Sequence, residues 1–427
     1  MKRIVASALA LVLCSACFAG CGEEEPFSGF VDPAREYAER SVSLNDAVRE
    51  KYWQEAVLFM YHYYPNFTTD ASGDMSTAFV WPYTETVAAS WRIATLSDGA
   101  KTEVGEYYKK LLEGFEYYRS FRSDYHVYCA SRATEIGMAA GDTYYDDNVW
   151  ISREFLNAYE VFGNEEYLDT SAKVATFVWS GWANDELGGI YWCEQKKNSR
   201  NTCSNAPASL LFARLYQATG EKEWLERAAQ VYEWTYNTLR DPSDNVYWDN
   251  ISNEGNITTW KFTYNTGSMI GAGVKLHEVM LQEAEKSADE TEKAELLQKA
   301  EIYLSQAKAS AEGAYRYWFK QREGYDYRVI DSTNPWFNVL LLDAWVELYR
   351  FAPETTLPYI EAYEANLNHA YTFLHDGLMP ADWVNGWGKD GEGNPAISKA
   401  NVLDMAANAE NFGTLAYFYQ YIKEGKE

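Results

Sequence analysis

Apolar residues recur every three to four positions through most of this chain, the period of an amphipathic helix. The pattern predicts helices over residues 148–162, 165–179, 206–218, 222–239 and 337–351. Long alternation of apolar and polar residues, which marks a half-buried strand, is scarce. One stretch repeats itself. Tyr159-Glu160-Val161-Phe162-Gly163 is followed by Glu166-Tyr167-Leu168, and Tyr216-Gln217-Ala218-Thr219-Gly220 by Glu223-Trp224-Leu225. Each glycine suits a helix C-cap, and the acidic residues after it suit the start of the next helix. The two glycines stand 57 positions apart, the length of one helical hairpin plus a long loop. The chain has room for about six such units. Six hairpins closed into a ring make an all-α (α/α)6 barrel with a cleft open at one end. A helical solenoid is the other architecture made of hairpins, but a short strict repeat is missing. No change of composition marks a linker after residue 40, so residues 41–427 read as one domain. Residues 286–299 are charge-rich and read as a solvated helix face.

The first residues follow a different pattern. Met1-Lys2-Arg3 is positive, Ile4 to Ala19 is apolar and small, and Phe18-Ala19-Gly20-Cys21 sets small residues before a cysteine. This is a signal-peptide layout, too short to stay in a membrane as a spanning helix. Its end resembles the lipobox of bacterial lipoproteins, in which the cysteine becomes the lipidated first residue. Residues 1–21 are therefore expected to be a lipoprotein signal ending in the anchor Cys21, and residues 22–40 a tether. Gly22-Glu23-Glu24-Glu25 is similar to the acidic signal that sends some bacterial lipoproteins to the cell surface. The expectation is a surface-exposed outer-membrane lipoprotein of a bacterial cell envelope.

Composition narrows the partners. With 63 acidic residues against 37 basic, the net charge is −26. Nucleic acid and anionic membrane surfaces bind basic patches, so neither is an expected partner of the folded domain. The 16 Trp, 34 Tyr and 19 Phe exceed ordinary usage. That excess serves either a large core or a cleft lined with flat platforms for sugars. Cys14 and Cys17 fall in the signal and Cys21 at its end, which leaves Cys129, Cys193 and Cys203. None forms a Cys-x-x-Cys pair, which argues against a zinc site. Cys193 and Cys203 either close a short disulfide loop or remain, with Cys129, buried thiols.

Several chemistries drop out. There is no His-Glu-x-x-His, no Gly-x-Ser-x-Gly elbow and no Walker loop. Gly271-Ala272-Gly273 lacks the third glycine and the strand of a dinucleotide site. Asp390-Gly391-Glu392-Gly393-Asn394 lacks the full calcium-loop pattern and reads as a polar turn.

One pair of acids stands apart. Tyr144-Tyr145-Asp146-Asp147-Asn148-Val149-Trp150 sets two adjacent aspartates between aromatics at the start of a helix. A helix cap accounts for one aspartate there, but it requires neither the second nor the flanking rings. Adjacent Cα atoms lie about 3.8 Å apart, and their carboxyls can diverge to about 5 Å, the separation used by retaining glycosidases. Inverting enzymes need about 6.5–9.5 Å to admit a water. The helix start favours an ionised nucleophile, while a neighbouring charge and aromatic burial favour a protonated acid. One dipeptide can supply both states, and the residues alone do not assign them.

The pair in this context resembles the hallmark of glycoside hydrolase family 76, the α-1,6-mannanases. Further stretches agree in order. Gly188-Gly189-Ile190-Tyr191-Trp192 is similar to the family's Gly-Gly-Ile-Trp-Trp stretch. Asn205-Ala206-Pro207-Ala208 with Ala213-Arg214-Leu215-Tyr216 is similar to its following helix. Tyr247-Trp248-Asp249-Asn250 resembles a Tyr-Asp-Gly element with Trp inserted and Asn for Gly, and Tyr264-Asn265-Thr266-Gly267 resembles Tyr-Asn-Gln-Gly with Thr for Gln. The likeness is clearest over residues 80–280. It implies an (α/α)6 barrel, retaining hydrolysis of α-1,6-mannan, and no metal or cofactor; endo action is the leading expectation, and the sequence does not separate it from exo action. It implies Asp146 as nucleophile, Asp147 as acid/base and Asp249 as a ligand of the sugar at the cleavage site. Tyr191, Trp192, Trp248, Tyr264 and Asn265 lie in these elements and are candidates to face substrate.

Other aromatics have two readings each. Trp81, Tyr83 and Trp91 either line the cleft or pack between helices. Trp383 and Trp387, near Gly386 and Gly388, are candidates for a distal subsite, whereas Trp224 and Trp345 read as core. Glu85 is a candidate cleft acid. The competing functions are a non-catalytic glycan-binding lipoprotein, a retaining transglycosylase on α-mannan, and an unrelated (α/α)6 glycosidase or lyase using another acid. Oligomeric state is not legible.

Overall fold

The computed structural model describes residues 26–65, 77–332 and 334–423. The expected signal, Cys21 and residues 22–25 of the expected tether lie outside the described residues; the rest of that stretch is part of the domain, because Phe27 packs in the core and a helix begins at Ala34 with Tyr37 and Ala38 buried. Among those described, helices come in pairs, inner then outer. The inner set is α2 (Val80–Ala94), α4 (Tyr145–Phe162), α6 (Thr202–Thr219), α8 (Thr263–Lys286), α10 (Pro335–Tyr349) and α12 (Val402–Tyr417). Each packs on the next, and α12 returns to α2 to close the ring. The outer set is α1 (Ala34–Tyr52), α3 (Asp98–Gly114), α5 (Glu165–Ser180), α7 (Lys222–Leu239), α9 (Glu290–Trp318) and α11 (Pro353–Tyr371). Helices α3, α5, α7, α9 and α11 each lie against the inner helix before them, and α1 lies against α12. This is an (α/α)6 barrel.

The apolar patterns follow from the two layers. Outer α7 buries one stripe, Trp224, Ala228, Val231, Tyr232, Thr235 and Leu239, at helical spacing. Inner α12 is enclosed on nearly every side, so its buried residues run almost without a break from Val402 to Ala416. Trp224 and Trp345 sit in the core, as expected for inter-layer packing.

The repeat seen in the sequence is also physical. Gly163 and Gly220 cap α4 and α6 with φ of +66° and +72°, a left-handed conformation that glycine adopts without penalty. The Ser152 hydroxyl donates to Ser171 O at 2.8 Å, and one unit later Ser209 does the same to Ala228 O at 2.8 Å. Asn148 brackets the backbone of Tyr128, accepting from its N–H and donating to its C=O, both at 2.9 Å. Asn205 brackets Ile190 in the same way, at 2.7 and 2.9 Å.

The charged stretch at 286–299 is not one helix face. Helix α8 ends at Lys286 and α9 opens after Asp289, whose carboxylate accepts the amides of Thr291 and Glu292 at 2.8 and 3.1 Å. Strands are short. The largest sheet has three antiparallel strands, Ser199–Asn201, Trp248–Ser252 and Ile257–Lys261, with Trp248–Ser252 in the centre. Among the described residues no helix is long and apolar enough to cross a membrane.

Candidate active site

The inner helices begin at the same mouth of the barrel. A cavity of about 860 Å³ opens there, and its wall includes the first turns of all six: Trp81 of α2, Asp146 and Asp147 of α4, Cys203 of α6, Tyr264 of α8, Trp336 of α10 and Leu403 of α12. Asp249 and Asn250 of the three-stranded sheet complete one side, and His62 and Phe79 the other. Six helix N-termini converging on one space favour negative charge in it. The aromatic wall is built as a unit. Trp81 meets Trp336 edge-on at 4.9 Å, and Tyr264 meets Trp336 at 5.4 Å.

The two aspartates share the first turn of α4 but differ in surroundings. The N-cap is Tyr144, so neither aspartate is spent as the cap residue. Asp146 Oδ2 accepts the indole N–H of Trp192 at 3.0 Å and the thiol of Cys203 at 3.2 Å. Burial raises the Asp146 pKa above the usual carboxylate range, and these two donors together with backbone amides pull it back. Among the described residues, Asp147 has no hydrogen-bond partner for its carboxyl. Burial pushes its pKa well above the ordinary value, and the adjacent Asp146 charge pushes it further. The surroundings thus favour opposite forms: donors support the ionised form of Asp146, while burial and the neighbouring charge favour the protonated form of Asp147.

Asp249 lies across the cavity. Its Oδ2 accepts from Asn250 Nδ2 at 2.8 Å, while burial raises its pKa. His62 is almost enclosed, and burial with the Lys399 charge lowers its pKa to about 4, so it is neutral at neutral pH. Trp192 is 38% exposed, presenting its ring to the cavity while its N–H serves Asp146. Tyr144 packs against it, with ring centroids 4.8 Å apart. The segment carrying Trp192 is fixed from behind. Gly188 and Gly189 take φ of +65° and +81° and pass beneath Trp234, where a Cβ on Gly189 would come within 2.4 Å of the ring. The fully buried Arg200 ties this turn to the sheet by bonding Gly188 O at 3.1 Å, together with Asp185 and Asn253.

Of the residues singled out in the sequence, Asp146, Asp147, Asp249, Trp192 and Tyr264 line the cavity. Tyr191, Trp248 and Asn265 do not. Tyr191 lies beneath the Arg200 guanidinium, 4.3 Å from its ring centroid, and its hydroxyl accepts from Arg200 at 2.9 Å. Trp248 precedes Asp249 on a strand, and its carbonyl accepts from Thr202. Asn265 is fully buried in α8. Among the other aromatics Trp81 lines the cavity, Tyr83 is core, and Trp91 faces a second cavity lined by later turns of the inner helices. Trp383 is no distal platform, because it is buried and its indole donates to Asn408 at 3.0 Å. Trp387 packs against the main core. Glu85 lies inside the barrel wall rather than in the cleft, paired with Glu410. Cys193 and Cys203 are free buried thiols, so no disulfide joins them. Asp390 accepts the amides of Glu392 and Asn394 in its own turn. Among the described residues no cluster of three or more His, Cys, Asp or Glu is arranged to hold a metal. Cys203, His62 and Trp336 were not anticipated. Only Cys203 had a signal, since it stands 57 positions after Asp146, one repeat unit on.

Comparison with known proteins adds three findings. The family described as glycosyl hydrolase family 76 matches residues 49–304. Mannan endo-1,6-alpha-mannosidase DFG5 of Saccharomyces cerevisiae is 30% identical over 145 residues, covering 30% of this chain and 31% of that protein. The chain spans about a third or less of the length of the yeast relatives it matches. Among solved structures, a family 76 mannosidase of Bacteroides thetaiotaomicron superposes with a TM-score of 0.75 at 22% identity, covering 89% of this chain and 98% of that one. An α-1,6-mannanase of Salegentibacter sp. HEL1_6 superposes with a TM-score of 0.67 at 19% identity, covering 90% and 99%. That structure is an inactive variant, with two adjacent aspartates replaced by asparagine, in complex with α-1,6-mannotriose.

Proposed function

The chain belongs to glycosyl hydrolase family 76, and from that membership we propose that it is a retaining, endo-acting α-1,6-mannanase. The observation that carries the reading is the asymmetry of the aspartate pair: Asp146 accepts two side-chain donors, while Asp147 has none among the described residues, and burial with the Asp146 charge raises its pKa well above the ordinary value. Asp147 gives its proton to the glycosidic oxygen as that bond breaks. The Asp146 carboxylate attacks the anomeric carbon and forms a glycosyl ester. Asp147, now a carboxylate, takes a proton from water, and the resulting hydroxide displaces Asp146 with the configuration restored. Asp249, across the cavity, binds a sugar hydroxyl beside the reacting carbon. Trp192 and Trp81 offer apolar faces to the rings of successive sugars, and the buried Trp336 backs Trp81. A cavity of about 860 Å³ has room for several sugar units. The mannan endo-1,6-alpha-mannosidase named among the relatives and the mannotriose complex named among the neighbours support the substrate class.

We further propose that the chain is a lipoprotein of a bacterial envelope, anchored through Cys21 and displayed on the outer surface. The support is the order of charged, apolar and small residues before Cys21. Metabolic labelling with a fatty acid, lost in Cys21→Ala, tests the anchor. The activity is tested by digesting debranched α-1,6-mannan with the protein lacking residues 1–21 and separating the products by size. A ladder of mannooligosaccharides supports endo action, mannose alone argues for exo action, and the absence of products contradicts the reading.

A further inference from the structure

Resting on that reading, we infer that Cys203 is a positioning residue for the nucleophile: its thiol, backed by the Tyr264 hydroxyl, holds the Asp146 carboxylate in place. Cys203 is the second residue of α6, as Asp146 is of α4, and the two stand 57 positions apart at equivalent points of neighbouring hairpins. The seam between these inner helices therefore sets one side chain against the other, with Sγ 3.2 Å from Asp146 Oδ2.

The chemistry of the contact favours holding over quenching. Burial, joined by the Asp146 and Asp249 charges, raises the Cys203 pKa well above that of an ordinary thiol. The sulfur therefore keeps its proton and donates it. A thiol is a weak donor, so it orients the carboxylate while drawing off less of its electron density than a hydroxyl or ammonium would. Tyr264 stands beside the same sulfur, and burial keeps its hydroxyl protonated. Cys203 and Trp192 thus reach the same Asp146 oxygen, one from α6 and the other from the loop side. The other two described thiols serve elsewhere, Cys129 beside Thr143 Oγ1 and Cys193 beside Gln195 Oε1.

The test compares Cys203→Ala and Cys203→Val, which remove the donor, with Cys203→Ser, which keeps one. Asp146 is followed by its carboxyl ¹³C shift against pH in aspartate-labelled protein, with the signal assigned from Asp146→Asn. Losing a donor to the ionised form raises the Asp146 midpoint by about one pH unit in the Ala and Val variants, and Ser stays close to wild type. On α-1,6-mannotetraose, kcat falls about tenfold in Ala and Val with KM little changed, while Ser keeps most of the rate. An Asp146 titration unchanged in both Ala and Val overturns the inference. The titration needs no turnover, so a wild-type protein that fails to cleave mannan removes the mannanase reading while the role of Cys203 is still decided.

Discussion

The indole N–H of Trp192 donates to Oδ2 of Asp146 across 3.0 Å, joining a loop residue to a helix start 46 positions earlier. One side chain thereby does two things at the cavity, presenting a flat face to it and supporting the ionised carboxylate. Trp192→Phe separates the roles. It keeps an aromatic face and removes the donor, so kcat is expected to fall about tenfold with KM nearly unchanged. Trp192→Ala is expected to raise KM as well. Steady-state kinetics on mannooligosaccharides check both.

The two aspartates predict an asymmetric pH profile. In the proposed mechanism activity needs Asp146 ionised, so it is expected to be lost as pH falls through the Asp146 pKa. It needs Asp147 protonated, so it is lost as pH rises through the Asp147 pKa, which burial and the Asp146 charge set well above the usual carboxylate value. Asp147→Asn is expected to abolish the alkaline limb and to cost about 10²- to 10⁴-fold in rate on mannan. The loss should be smaller on an aryl mannoside, whose leaving group needs little protonation. A pH series of kcat/KM on both substrates reads this.

Gly189 carries the turn that delivers Trp192. Its φ of +81° and the Trp234 ring 2.4 Å from a built Cβ leave no room for a side chain. Gly189→Ala is expected to destabilise the fold by about 1–3 kcal/mol and to weaken mannan cleavage through a displaced Trp192. Gly220→Ala meets no atom within 4 Å, so it carries only the backbone cost. Thermal denaturation of the two variants, compared with their activities, checks that the first loses function and the second mainly stability.

Glu85 and Glu410 form a buried carboxyl pair between α2 and α12, faced by Arg153 and Glu154 of α4, Arg92 of α2 and Asp343 of α10. Burial raises both pKa values, and the pair's proximity raises that of Glu85 further. A carboxyl with a raised folded pKa binds its proton more tightly in the fold. Its contribution to stability is therefore full below the unfolded value of about 4.3 and fades as pH rises through the folded value. Melting temperature is expected to decline from about pH 5 to about pH 8, and Glu410→Gln to flatten that decline. Differential scanning calorimetry across pH measures it.

Much of this was legible in the chain because local physics carried it. Gly163 and Gly220 mark helix ends through their backbone freedom, and the apolar period marks the helices between loops. Asp146 and Asp147 stood out because two acids between rings serve no capping need. What failed was side-chain direction. Asp249 lines the cavity while its neighbour Trp248 does not, and Trp192 lines it while Tyr191 turns to Arg200. Motif membership alone could not separate these neighbours. Trp383 reads as a loop aromatic because glycines lie nearby, yet its indole is needed inside by Asn408. The Cys203 contact arises from the packing of α4 on α6, which only the 57-residue repeat foreshadows.

In the proposed mechanism Asp146 and Asp147 divide the work of a retaining mannanase. The most direct measurement of that division is ¹H NMR of α-1,6-mannooligosaccharide cleavage, read in the first minutes before the new reducing end mutarotates, for wild type beside Asp146→Asn and Asp147→Asn. The first anomer formed is expected to have the α configuration of the bond broken, and neither variant is expected to form it at a comparable rate. A β product, or undiminished cleavage by Asp146→Asn, would contradict this mechanism.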